Sequence, residues 1–99
     1  MAGGSVTAEG CRRGSGASEE IYHQVVEQRI AFPLWDNTFL RLSHVGGSDR
    51  LEITSVYDSD LIHRLKQLGC FTERINWQTR VFLPIEARQS IPIIESLMV

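Results

Sequence analysis

Apolar residues recur along this chain in two rhythms, and the switches between them mark the expected elements. Ser18-Glu19-Glu20 reads as a helix start, a Ser N-cap followed by acids in the first turn. Ile21, Tyr22, Val25, Val26 and Ile30 then follow at helical spacing. Tyr22, Val26, Ile30 and Phe32 also fit one face of a period-two strand, so both readings stand, with the helix preferred; Pro33 ends either. Phe39, Arg41 and Ser43 alternate with Leu40, Leu42 and His44, Gly46-Gly47-Ser48-Asp49 forms a turn, and Leu51, Ile53 and Ser55 alternate on the return. That pattern predicts a β-hairpin.

Asp58-Ser59-Asp60 supplies the next N-cap, Leu61, Ile62, Leu65 and Leu68 the apolar face of a helix, and Gly69 its stop. Two further strands, Phe71 to Ile75 and Arg80 to Leu83, flank an Asn76-Trp77-Gln78-Thr79 turn, and Pro84 closes the second. A last helix covers Glu86 to Met98, or only Ile91 onwards with Ser90 as its cap. Pro92 inside a helix costs about 3 kcal/mol, which favours the shorter form or a kink. The fold class is therefore α+β: a small antiparallel sheet of two hairpins, helices packed on one face, in the order α-ββ-α-ββ-α. Leu65, Leu68, Ile94 and Leu97 are expected in the core.

Composition sets the boundaries. Residues 1–18 are rich in Gly, Ser and Ala, bury too little apolar surface to offset the entropy of ordering, and read as a disordered tail. Residues 19–99 form one small domain. No run approaches the ~20 apolar residues of a membrane span. Two cysteines, Cys11 in the tail and Cys70, make no disulfide framework, so an intracellular setting, cytoplasmic or nuclear, is expected. The net charge is −2, and from Thr38 to Val99 each sign occurs seven times, so the basic surplus of a phosphate-gripping domain is missing.

The candidate chemistry is sparse. His23, His44 and His63 fall in no metal-ligand spacing, and Asp58 and Asp60 are explained by capping. Cys70 follows a helix C-terminus, where the dipole opposes a thiolate, and reads as a buried structural cysteine. No catalytic residue, cofactor site or metal site is expected. The informative cluster is Arg74, Trp77, Arg80 and Phe82, with Arg64 and Lys66 on the preceding helix: basic and aromatic residues interleaved, as in a surface that stacks on bases or on a partner's side chains. The plainer reading is preferred, with Trp77 packed over its turn, Phe82 in the core and the arginines paired with Glu73 and Glu86. Trp35, beside Pro33 and Leu34, reads as a staple from linker to core; were it exposed, it would mark a docking surface.

The stretches LEITSVYDSDLIHRLKQLG and INWQTRVFLPIEA carry a strand, a Tyr-Asp step into a helix, a Lys-containing turn, and a hairpin leading through an aromatic-Leu-Pro step to another helix. Over residues 51–97 this order resembles the HARP module of annealing helicases. The resemblance implies an accessory module that binds single-stranded or forked DNA, with Lys66, Arg74, Trp77 and Arg80 as its contacts. From the residues themselves the first expectation is a non-catalytic module with a protein partner: an adaptor, inhibitor or accessory subunit using Trp35 and Trp77. The alternatives are a DNA-binding accessory domain using Arg64, Lys66, Arg74 and Arg80, and a homodimer joined through a sheet edge.

Overall fold

The computed structural model describes residues 13–98. The expectation of a disordered tail, and with it Cys11, lies outside the described residues as far as residue 12. From Arg13 the chain is helical: α1 runs Arg13–Val26. Ser18 is therefore not a cap but an interior residue, fully buried. Residues 13–18 carry no large apolar side chain, so composition alone assigns them to the tail. α1 packs against the last helix, in which Ser90 is equally buried; small side chains let two helices approach closely.

Of the two readings for residues 21–32, the helix holds for the first six. Ile21, Tyr22 and Val25 enter the core. The chain then turns at Arg29, which is left-handed with φ 58°, and Ile30 is left exposed. Pro33 does not end a helix; it lies inside a short strand that the hydrophobic pattern did not signal, β1 (Phe32–Trp35). Pro33 holds the preceding Phe32 extended, and its missing N–H is tolerated because β1 is an edge strand.

β1 pairs antiparallel with β2 (Thr38–Val45) across an Asp36-Asn37 turn, and β2 with β3 (Ser48–Ile53) across Gly46-Gly47. Both glycines have positive φ, 59° and 85°, as a two-residue hairpin turn matched to strand twist requires. Helix α2 (Ser59–Gln67) follows. Asp58 caps it, its carboxylate accepting from the Asp60 amide at 2.9 Å. Its end closes through paired bonds from the Gly69 amide to the Lys66 carbonyl and from the Cys70 amide to the Leu65 carbonyl, with Gly69 at φ +116°.

Strands β4 (Phe71–Ile75) and β5 (Gln78–Leu83) form the second hairpin, and α3 (Ala87–Leu97) closes the chain. The longer form of this helix is the one adopted, with Pro92 inside it and Glu86 at its N-cap. Among the described residues the sheet has five strands, not the four of two hairpins, in the order β1-β2-β3-β5-β4, every neighbouring pair antiparallel.

The three described helices cover one face. Leu40, Leu51, Ile53, Val81 and Leu83 meet Ile21, Val25, Leu65, Ile93 and Ile94 there. Leu65 and Ile94 are buried as expected, and Leu97 is partly so; Leu68, at the α2 C-cap, is 40% exposed instead. The Gly69 reversal swings it out to the rim of a groove between α2 and α3.

Candidate functional site

Register decides which side chains of the two hairpins share a face, because side chains alternate along a strand. Arg41 pairs with Glu52, Glu52 with Phe82, and Phe82 with Phe71, while Ser43 pairs with Arg50 and Glu73 with Arg80. All of these stand on the face opposite the helices. Phe82 is fully buried there, yet it does not belong to the helix-side core. It is covered by the Arg50 guanidinium, 4.2 Å above its ring, with the Phe71 ring 6.0 Å away.

Around it runs a connected ionic layer. Arg80 donates to both oxygens of Glu52, Nε at 2.7 Å and Nη2 at 2.6 Å. The Ser43 hydroxyl donates to the same carboxylate at 2.6 Å. Arg50 donates to both oxygens of Glu73, the shorter bond 2.6 Å. Burial pushes the Glu52 carboxyl up, but the bonds from Arg80 and Ser43 outweigh it and hold the group below the usual carboxylate range. The Arg50 bond lowers Glu73 in the same way. Glu73 does find an arginine, though Arg50 rather than Arg74 or Arg80. Glu52, only 5% exposed, is the partner that alternation alone did not reveal.

The basic candidates therefore do not form one patch. Arg80 is bound within this layer, whereas Arg74, paired with Thr79, belongs to the helix side of the edge strand β4. Arg64 and Lys66 are exposed on α2. Arg64 lines the groove of about 540 Å³ between α2 and α3, together with Leu61, Leu68, Leu97 and Trp35. Trp35 packs partly against the core, as a staple does, and also lines this groove.

Trp77 does not pack over its turn. It is 93% exposed, and both central residues of the turn are left-handed, Asn76 at φ 51° and Trp77 at φ 73°. Asn suits that region; a bulky aromatic residue there is an outlier. Tyr57, missed in the sequence because it precedes the α2 cap in an unpatterned loop, is 75% exposed. Tyr57 and Trp77 line a common depression of about 380 Å³ with Val56 and Ile62. A second depression, of about 580 Å³, joins Tyr57 to Trp35 through Val56 and Leu61. The second depression shares Trp35 and Leu61 with the groove and Val56 and Tyr57 with the first depression, so Trp35, Tyr57 and Trp77 line adjoining hollows.

The titratable groups elsewhere are dispersed. His23 sits 3.1 Å from Glu27, His44 3.1 Å from Asp49, and His63 3.3 Å from Gln67. Among the described residues no group of three or more His, Cys, Asp or Glu side chains could hold a metal ion. Cys70 is buried, and burial pushes its thiol up to about 11. No described helix is long and apolar enough to cross a membrane. No family model matches the chain, and neither a curated protein nor a solved structure matches it.

Proposed function

We propose that the chain is a non-catalytic protein-binding module that docks a partner through the surface bearing Trp35, Tyr57 and Trp77. The observation that carries this reading is Trp77: a tryptophan 93% exposed, held at a left-handed position that glycine occupies without strain. A side chain that burdens its own turn and is almost wholly exposed contributes little to the fold beyond that cost. Aromatic residues of this kind supply binding energy when a partner buries them. Tyr57 and the half-buried Trp35 extend the same surface.

A phosphate-binding surface is less well supported. Arg74 and Arg80 take opposite faces of the sheet, and Arg80 is neutralised by Glu52. The test compares wild type with Trp77→Gly in affinity capture, alongside titration with fluorescent single-stranded and forked DNA at low and moderate salt. The expected result is a protein captured by wild type and lost on Trp77→Gly, with the variant still folded and no salt-sensitive DNA binding. Fork binding that falls steeply with salt and disappears in the Arg74→Glu, Arg80→Glu double variant would replace this reading with the nucleic-acid one.

A further inference from the structure

The two edges of the sheet are built differently. β1 has four residues, a proline, and a register irregularity between Pro33 and Trp35. Each of these features blunts an edge against further pairing. β4 has five residues, no proline and an unbroken register with β5 from Phe71↔Phe82 to Ile75↔Gln78. A two-residue turn closes on a hydrogen-bonded pair, here Ile75↔Gln78. The alternation then makes Glu73↔Arg80 and Phe71↔Phe82 the other hydrogen-bonded pairs. The amides and carbonyls of Thr72 and Arg74 therefore point away from the sheet. Among the described residues neither makes a backbone hydrogen bond elsewhere.

A second copy of the chain fits this edge poorly. Opposite residues must share a face and the outward groups must meet, which leaves three antiparallel registers. Thr72 opposite Arg74 of the second copy sets Glu73 against Glu73 in a close pair. Arg74 opposite Arg74 sets two guanidiniums together. Thr72 opposite Thr72 presses each Glu73 carboxylate onto a Phe71 ring. Like charges directly opposite are destabilising, which penalises the first two registers; the third sets a carboxylate against an aromatic ring and gains no charge pair.

A foreign strand escapes all three. On the open face it meets Phe71 and Ile75, both apolar and incompletely buried, on either side of Glu73, which is already held by Arg50. On the helix side it meets Arg74, which is exposed and has no ion pair among the described residues.

We propose that β4 is an acceptor edge that takes an extended strand from a different protein, antiparallel, with an acidic residue opposite Arg74 and apolar residues opposite Ile75 and Phe71. Read along the incoming strand the pattern is apolar, acidic, any residue, Thr or Ser, apolar. Main-chain bonds at Thr72 and Arg74 provide the affinity, and the Arg74 and Phe71 positions the selectivity. This rests on the protein-docking reading and names the form of the partner. Trp77, in the turn that follows β4, would clamp the segment where it leaves the edge.

The probe is a library of random seven-residue peptides selected on the full chain, the enriched sequences then being synthesised. The expected result is enrichment of the pattern above and slowing of amide exchange at Thr72 and Arg74 by at least about tenfold on binding. Arg74→Pro removes one outward amide at a position where an edge strand tolerates proline, and weakens binding by at least about tenfold. Should that variant misfold, Arg74→Glu keeps the backbone and is expected to switch the acidic preference to Lys or Arg.

Enriched peptides that bind Arg74→Pro undiminished, or no enrichment at all, overturn the proposal. So does a dimeric mass by light scattering that Arg74→Pro abolishes, which would make the second copy the occupant. If the edge fails while Trp77→Gly still abolishes partner capture, the docking reading stands alone. If the edge peptides bind as expected but Trp77→Gly leaves partner capture intact, it is the Trp77 surface that falls.

Discussion

Replacing Trp77 with glycine isolates the conflict between the turn and its side chain. The left-handed region costs an L-residue ~1–2 kcal/mol relative to its preferred conformations, and Trp77 sits in it at φ 73°. Glycine removes that cost but loses more chain entropy on folding, ~0.5–1 kcal/mol. The side chain is 93% exposed, so its removal forfeits little burial. The sum is a stabilisation of about 0.5–1 kcal/mol from an Asn-Gly turn, the preferred pair for this geometry. For a domain of this size that corresponds to a rise in Tm of roughly 2–8 °C. Urea unfolding and calorimetry of the purified variant at pH 7 would read it. Trp77→Ala, which keeps the strained backbone, is expected within about 0.5 kcal/mol of wild type. A loss of stability above about 0.5 kcal/mol in the glycine variant would mean that Trp77 packs on the domain, and the argument for a docking anchor would fail with it.

Arg80→Ala leaves the Glu52 carboxylate buried without its bidentate partner, and the expected loss is about 3 kcal/mol, at the low end for a broken buried pair because Arg80 is 24% exposed; urea unfolding measures it. Because Glu52 and Glu73 both titrate lower in the folded state than in the unfolded chain, their contribution is complete above the ordinary carboxylate range near pH 4.5 and is lost as the pH falls through the lower folded values. Acid titration followed by circular dichroism should show this loss, with a shallower slope in the Glu52→Gln, Arg80→Met double variant. Gly69→Ala places a Cβ 2.9 Å from Ile93 Cδ1 at φ +116°, and a loss of about 2 kcal/mol is expected from chemical unfolding. Cys70, with its thiol pushed up to about 11, should react with a disulfide reagent at pH 8 only at the rate of protein opening, and at once in denaturant.

Much of the fold was legible because local chemistry and global packing agree where it was read. Asp58 and Gly69 bracket α2, and Gly46-Gly47 fixes the first hairpin. Three features were hidden, each for a separate reason. The N-terminal half of α1 includes small residues such as the buried Ser18, which leave no hydrophobic signature. β1 is short and carries a proline, so it lacks the alternation of a longer strand; Asp36-Asn37 was its one available signal. The ionic layer over Phe82 joins residues on four strands, and no local spacing announces that Glu52 meets Arg80 28 residues away. Of the site, Trp35 and Trp77 were picked out by residue type. Tyr57 was missed, and grouping the arginines by sequence proximity joined residues that register assigns to opposite faces.

Site-specific photocrosslinking from position 77 tests the central claim most directly. A benzophenone amino acid would replace Trp77 in the full chain expressed in cells, with the same group at exposed Arg88 in α3 as control. The account predicts a discrete protein adduct from position 77, absent from position 88, that excess wild-type chain competes away and Trp77→Gly does not. Adducts identical from both positions, or adducts to nucleic acid, would contradict it.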